Sequence, residues 1–417
     1  MRSSLMLPSC DYNSTWKGID TVMKKVLFTA LTICAAGISV SAQHYYQDVR
    51  NADMLSHSYG EAEARKELIL PQVNGYNVYK ADLHTHTIYS DGSVLPAYRI
   101  KEAWQDGLDI LAVTEHIEHR PHEADMVAYL ERYTDENYRK AKNHRGIGYR
   151  PLDEDGIMVD LNYSVRLAQK EGKKYGLTVI PGTEITRSGD KIGHFNALFT
   201  TDNNKIFDLN PVQAIRNAKA QGAIVMHNHP GWSRTSVDYT KTEAEAYDEG
   251  LIDGVEVMNT SEFYPKIIDR ARERGLFISA NSDIHGTTAN DYRKHGCNRP
   301  MTLILAQDKS LESIREALLQ KRTIALAFSN LCGEKQLMED FFRASVSIVK
   351  IPGSHNVYTL TNPTSIPYYI QCPGKNPLLL DSGSTIRISF GKGADRCGFT
   401  VLNIWIGESD HLVIDLK

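Results

Sequence analysis

The chain has 417 residues, 24% of them charged, and a formal net charge of −4. That balance argues against a general nucleic-acid surface, though not against a small anionic substrate held by a locally positive site. The length suggests roughly two domains, each able to bury a sizeable core.

The chain opens on a targeting segment. Met23-Lys24-Lys25 gives a basic start, residues 26–40 are mostly apolar and uncharged, and Val40-Ser41-Ala42 supplies a small-residue cleavage signal. Met23 reads as the true start and Gln43 as the first mature residue, so export to the periplasm or beyond is expected. The apolar run is too short for a comfortable membrane span and lacks a stop-transfer flank. Ile33 before Cys34 argues against a lipid anchor. Removing residues 1–42 takes away four basic and two acidic residues and leaves a charge of about −6. Cys297, Cys332, Cys372 and Cys397 remain, and none forms a Cys-x-x-Cys pair. Cys372 and Cys397 could pair in an oxidising compartment, but the sequence does not decide it.

Apolar runs at 78–83, 110–113, 178–181, 194–199, 223–226, 254–258 and 277–280 read as buried strands. Helical patterns at 160–175, 211–221 and 311–319 lie between and after them, with Ser310 as an N-cap and Gly176 as a stop. The alternation indicates parallel strands in an α/β barrel or open sheet. A polar stretch over 118–155 reads as an inserted excursion. Beyond residue 330 a last helix is expected at 334–342. Runs at 344–350, 357–361, 368–371, 385–390, 398–406 and 412–416 then read as a small antiparallel sandwich. The expected division is a leader at 1–42, an N-terminal segment at 43–77, the α/β part at 78–330 and the all-β part at 331–417.

The stretch "DLHTHTIYSDG" follows the first strand and holds His84, His86 and Asp91. In a chain with 15 histidines one such pair is a weak signal. The other strands repeat it. "VTEH" brings Glu115 and His116, "IPGTEIT" Glu184, "GHFNA" His194, and "VMHNHPG" His227 and His229. "VEVMN" brings Glu256 and Asn259, and "ANSDIHG" Asp283 and His285. In parallel α/β folds the carboxyl ends of the strands face the ligand site. Imidazole and carboxylate without thiolate suit zinc, manganese or iron, and about nine ligands imply two or three divalent ions. Such clusters clamp a phosphoryl or carbonyl oxygen and hold a deprotonated water.

The four stretches "DLHTHTIYSDG", "TEH", "HNHPG" and "SDIHG", in that order, resemble the motifs of the PHP family, the polymerase and histidinol phosphatase superfamily of metal-dependent phosphoesterases. Glu115 stands where the family usually has aspartate. The resemblance covers about residues 78–330. It implies a distorted (β/α)7 TIM-like barrel with three ions on its C-terminal face. It places His84, His86, Glu184 and Asp283 on one ion. Glu184 would bridge to a second ion with His194 and His229, and Asp91, His116 and His285 would hold a third. His229, directly before Pro230, takes the family ligand's place.

That leaves His227 at the strand end. Alternation in an extended chain puts it on the same side as His229, and Pro230 biases His229 toward an extended backbone. His227 is expected to protonate the leaving group or touch substrate, with structural support as the alternative. Arg187 and Arg234 are candidate phosphate clamps, and Tyr89, Trp232, Arg293 and His295 are weaker candidates for substrate contact. The expected substrate is a small phosphate ester. An amidohydrolase or esterase on the same metals, and a non-catalytic binding protein, are the competing readings.

Overall fold

The computed structural model describes residues 44–47, 50–58, 64–122, 160–187, 193–391 and 397–416. The leader, most of the excursion at 118–155 and the side chain of Arg187 lie outside the described residues. Two short strands, β1 (His44–Gln47) and β2 (Leu55–Ser58), pair antiparallel and belong to a unit covering residues 1–64. All other elements lie in a second unit, residues 65–417.

That second unit opens with β3 (Asn77–Asp82), α1 (Pro96–Gln105), β4 (Ile110–Val113), α2 (Tyr163–Tyr175) and β5 (Thr178–Arg187). Next come β6 (Gly193–Leu198), α3 (Pro211–Ala220), β7 (Ile224–Asn228), α4 (Lys241–Asp248) and β8 (Gly254–Asn259). The series continues with β9 (Glu262–Phe263), α5 (Lys266–Arg274), β10 (Phe277–Asn281), β11 (Met301–Ala306), α6 (Leu311–Leu319), β12 (Thr323–Ala327) and β13 (Asn330–Cys332). The helices start where their caps direct. Asn210 accepts from the amides of Val212 and Gln213 ahead of α3, and Ser310 accepts from Ser313 ahead of α6. Thr240 and Glu243 form a reciprocal capping box on α4. Gly176 and Gly275 end α2 and α5 in the left-handed conformation that glycine adopts without cost.

Strands β3, β4 and β5 run parallel, as do β7, β8 and β10. β6 departs from the all-parallel expectation and is antiparallel to both β5 and β7. The reason is chain length. Only residues 188–192 separate β5 from β6, too few for a crossover, so the connection reverses the chain. The reversal also explains why His194 sits at the start of its strand while His84, His116, His229 and Asp283 follow theirs.

The sheet order is β10-β8-β7-β6-β5-β4-β3-β11-β12-β13. No backbone ladder joins β10 to β3 or β11 among the described residues. Side chains bridge that gap instead. The Thr302 hydroxyl bonds Ala280 O at 3.0 Å and accepts from Ala280 N at 3.1 Å, and Thr323 donates to Ile278 O at 2.7 Å. A single bridge joins Thr85 to Ile284 just past the strand ends.

Side chains alternate across this sheet. Ala81, Leu83, Ile110, Ala112, Ile180, Leu198, Ile224, Met226 and Phe277 form one inner cluster, closed off by Ile314, Ala317 and Leu318 of α6. Leu111, Val113, Val179, Leu303 and Leu305 face outward into a second cluster.

The remainder comprises α7 (Lys335–Ser345), β14 (Ser347–Lys350), β15 (Val357–Asn362), β16 (Tyr368–Gln371), β17 (Leu378–Leu380), β18 (Ser384–Ser389), β19 (Cys397–Trp405) and β20 (His411–Leu416). It is strand-rich, as expected. β14, β15 and β18 form a separate antiparallel sheet, but β19 pairs in parallel with β13 and extends the large sheet into this region. The outward cluster is shared too, holding Phe341, Phe342, Tyr368 and Phe399 together with Ile100 and Leu303. All four described cysteines, including Cys372 and Cys397, are free. Among the described residues no helix is long and apolar enough to cross a membrane.

Candidate metal centre

The loop after β3 carries His84, His86 and Asp91 and folds tightly on itself. Gly92 N donates to Thr87 O at 2.9 Å, and a Cβ on Gly92 would lie 2.8 Å from the Thr87 backbone, so glycine is required there. Glu115, just past β4, braces the same loop. Its carboxylate accepts from Thr87 N at 3.1 Å, from Ser90 Oγ at 2.5 Å and from the Thr87 hydroxyl. Asp82 accepts from Arg299 at 2.7 Å and from Ser282 Oγ at 2.5 Å, tying the end of β3 to the segment after β10.

His84 Nε2 and His86 Nε2 stand 3.1 Å apart. Asp283 Oδ1 lies 3.1 Å from each of these nitrogens, and Glu184 Oε2 lies 3.4 Å from each. Donor atoms sharing one ion through bonds of about 2.0–2.2 Å have separations of this size. Glu184 is the centre of the arrangement. Besides His84 and His86, its Oε2 faces His116 Nδ1 at 2.8 Å. Its Oε1 faces the other way, to His194 Nδ1 at 3.2 Å and His229 Nε2 at 3.8 Å. Asn228 Nδ2 holds that Oε1 at 2.9 Å. On the far side Asp91 meets His285 Nε2 at 3.2 Å and His116 Nε2 at 3.4 Å.

Donor atoms within 4.8 Å of one another form four overlapping sets: His84-His86-Glu184, His84-His229-Asp283, Glu184-His194-His229 and His86-Asp91-His116-His285. Glu184 Oε2, Asp91 Oδ1 and His194 Nδ1 are buried without a hydrogen-bond partner among the described residues. Buried lone pairs that no donor satisfies are what a cation would satisfy. Two residues of the cluster have left-handed backbones, His229 at φ 25° and Asp283 at φ 49°. Such conformations cost about 1–3 kcal/mol each and persist only where surroundings enforce them. Here His229 N donates to Glu256 Oε2 at 2.7 Å, and Asp283 N to His84 O at 3.0 Å.

The charges are strongly coupled. Burial opposes ionisation of Glu184 and Asp283, yet the imidazoles beside them, His116 and His84 foremost, hold both carboxyls well below the usual range. His84 is raised because Asp283 and Glu184 outweigh its burial. His86 falls to about 3, through burial and then repulsion from His285 and His116. A neutral His86 beside ionised carboxylates is in the state that metal ligation requires.

The PHP domain family matches residues 82–278. A crystal structure from Bacteroides vulgatus ATCC 8482 is similar over 85% of this chain and 99% of its own, at 30% identity and TM-score 0.73. It is described as a two-domain protein containing a predicted PHP-like metal-dependent phosphoesterase. The chain belongs to the PHP family. Fainter similarity links it to a putative metal-dependent phosphoesterase from Bifidobacterium adolescentis ATCC 15703, at 14% identity and TM-score 0.36, covering 58% of this chain and 96% of that one. An amidohydrolase from Chromobacterium violaceum gives 14% identity and TM-score 0.34, covering 51% and 89%. No curated protein matches the chain.

The structure brings all nine expected ligands of the PHP site together and moves two other expectations. His227 does not face the cluster. β6 and β7 pair His194 with Asn228 and Phe195 with His227, so Asn228 points to the site and His227 to the opposite side. Both ring nitrogens of His227 are engaged there, with Tyr247 Oη at 3.0 Å and Glu243 Oε1 at 2.9 Å. The expected alternation fails because His229 has positive φ and not the extended backbone that Pro230 was expected to impose. His227 is therefore a structural residue, and the general-acid expectation is withdrawn. Arg234 is not a free phosphate clamp. Its guanidinium donates to Glu243 at 2.6 and 2.9 Å. Arg187 ends β5, and its side chain lies outside the described residues.

Sequence reasoning missed His119, whose Nε2 stands 3.5 Å from Asp91 and is partly exposed at the mouth. It named Glu256 without a role. Glu256 takes His84 Nδ1 at 3.0 Å and bonds Asn259 and Asn281, orienting a ligand from behind. The signal for both lay in the strand-end pattern. "TEHIEH" repeats histidine three residues on, and "VEVMN" places an acid in a buried strand.

Proposed function

We propose that this PHP protein is an exported phosphoesterase that hydrolyses a small phosphate ester at a site for two or three divalent ions, zinc, manganese or iron. One observation carries the reading: Glu184 presents its two oxygens to two separate groups of imidazoles. His84, His86, Glu184 and Asp283 would hold one ion, and Glu184, His194 and His229 a second. Asp91, His116 and His285 would hold a third, with His86 alongside. Bound there, such ions supply Lewis acidity toward the phosphoryl oxygens and lower the pKa of water.

The protein's own part is to fix the donors. Glu184 sets the spacing between the two groups, while Asn228 and Glu256 orient Glu184, His84 and the His229 backbone from outside the cluster. Glu115 keeps the first loop folded so that Asp91 can meet His116 and His285. We read the arc from β3 to β10 as the distorted (β/α)7 barrel of the family, and residues 331–417 as an accessory β-sandwich. The basic, apolar leader at 23–42 supports export, and the acidic composition supports a small substrate over a nucleic-acid track.

The test is a substrate panel on metal-reconstituted protein. Metal-dependent release of nitrophenol from p-nitrophenyl phosphate or its diester is expected. Hydrolysis of amides or acyl esters, with the phosphates untouched, would overturn the reading in favour of amidohydrolase chemistry.

A further inference from the structure

We propose that Trp232 is a substrate-contact residue whose indole stacks on an aromatic ring in the alcohol part of the phosphate ester. The proposal deepens the phosphoesterase reading above and rests on it. Trp232 is 51% exposed and stands beside the polar cluster. Its ring centroid lies 5.4 Å from that of His229 and 5.6 Å from that of His194. Both imidazoles belong to the set that shares Glu184. A phosphate held by that set would carry its ester group into the reach of the indole.

The turn that carries the indole is held in place before any ligand arrives. Trp232 N donates to His229 O at 2.9 Å, and Arg234 N to Gly231 O at 3.1 Å. Gly231 is pressed on Tyr264 so closely that a Cβ would lie 2.5 Å from that ring. Arg234 anchors the far end of the turn to Glu243, and Ser233 between them sits at φ 55°. An aromatic surface fixed in advance loses little entropy on binding, so its contact area converts efficiently to affinity.

The ring type follows from the neighbours. A sugar needs partners for its hydroxyls, and two polar side chains of this loop are already engaged, Arg234 by Glu243 and Ser236 by Asp238. The half-exposed indole offers a π face, which favours a flat aromatic ring.

The experiment uses two non-hydrolysable probes, phenylphosphonate and methylphosphonate, titrated calorimetrically into the metal-loaded full chain, its W232A variant and its W232F variant. Wild type is expected to bind phenylphosphonate about 5–10-fold more tightly than methylphosphonate. W232A should lose that preference to within about twofold while keeping its metal content and its methylphosphonate affinity. W232F should keep most of the preference. Equal affinities in wild type, or a preference that survives in W232A, would overturn the stacking proposal alone. Parallel loss of both probes in W232A would show a structural role and overturn it as well. Failure of wild type to bind either phosphonate would overturn the phosphoesterase reading, and the stacking with it.

Discussion

Glu184 and Asp91 are both acids of the cluster, but Glu184 is buried and Asp91 partly exposed, and their surroundings differ. Glu184 faces five imidazoles through two oxygens, whereas Asp91 lies at one edge, nearest the mouth. Glu184→Gln should therefore lower turnover by more than about 100-fold and reduce bound metal, and Asp91→Asn should do markedly less. Steady-state rates with elemental analysis check this; equal losses with metal content intact in both would contradict the shared role. The two histidines of "HNHPG" separate in the same way. His229→Ala should empty a metal position. His227→Ala should keep the metals and cost about 1–3 kcal/mol of stability, because Tyr247 and Glu243 lose a buried partner. Thermal melts and metal content decide between them. The cluster residues were legible because most stand where a short apolar run stops, and His194 where one begins. His227 was misread because the strand gives no sign that His229 turns to positive φ, which breaks the alternation one residue after the ladder ends.

At the level of elements, α4 braces the turn after β7. Glu243 accepts from Thr240 N as part of the capping box, pairs with Arg234 on the turn, and meets His227 on β7. Burial works against its charge, yet His227 and Arg234 pull its carboxyl down to about 2. Glu243→Ala removes the carboxylate that Arg234 and His227 share and should cost about 1–3 kcal/mol. Because the folded-state value lies below the ordinary 4.5, the carboxylate's stabilising contribution is present above about 4.5 and is lost as pH falls toward 2. The melting gap between wild type and Glu243→Gln should accordingly narrow across that window, and a constant gap would contradict the ionic brace. The sequence showed the parallel strands as apolar runs and the caps of α6 as a serine before a periodic stretch. It did not show β11 to β13, which pair antiparallel to one another outside the parallel series. Nor did it show that β6 runs backwards, a consequence of connection length and not of residue type.

At the scale of the whole molecule, the boundary near residue 330 is a change of pattern but not a physical division. β13 pairs with β19, and one apolar cluster joins Ile100 and Leu303 to Phe342, Tyr368 and Phe399. A chain ending at Asn330 should therefore fail to fold or aggregate, through exposure of that shared cluster. A soluble, cooperatively melting, metal-loaded truncation would contradict this and show the C-terminal part to be separable. The central claim is that one carboxylate, Glu184, is shared between metal ions in a site built by nine side chains. Anomalous diffraction from metal-reconstituted crystals, recorded at the metal's absorption edge, tests it most directly. Two or three peaks within the nine-residue cluster, two of them sharing Glu184, is the expected result. No peak there, or a single peak that Glu184 does not touch, would contradict it.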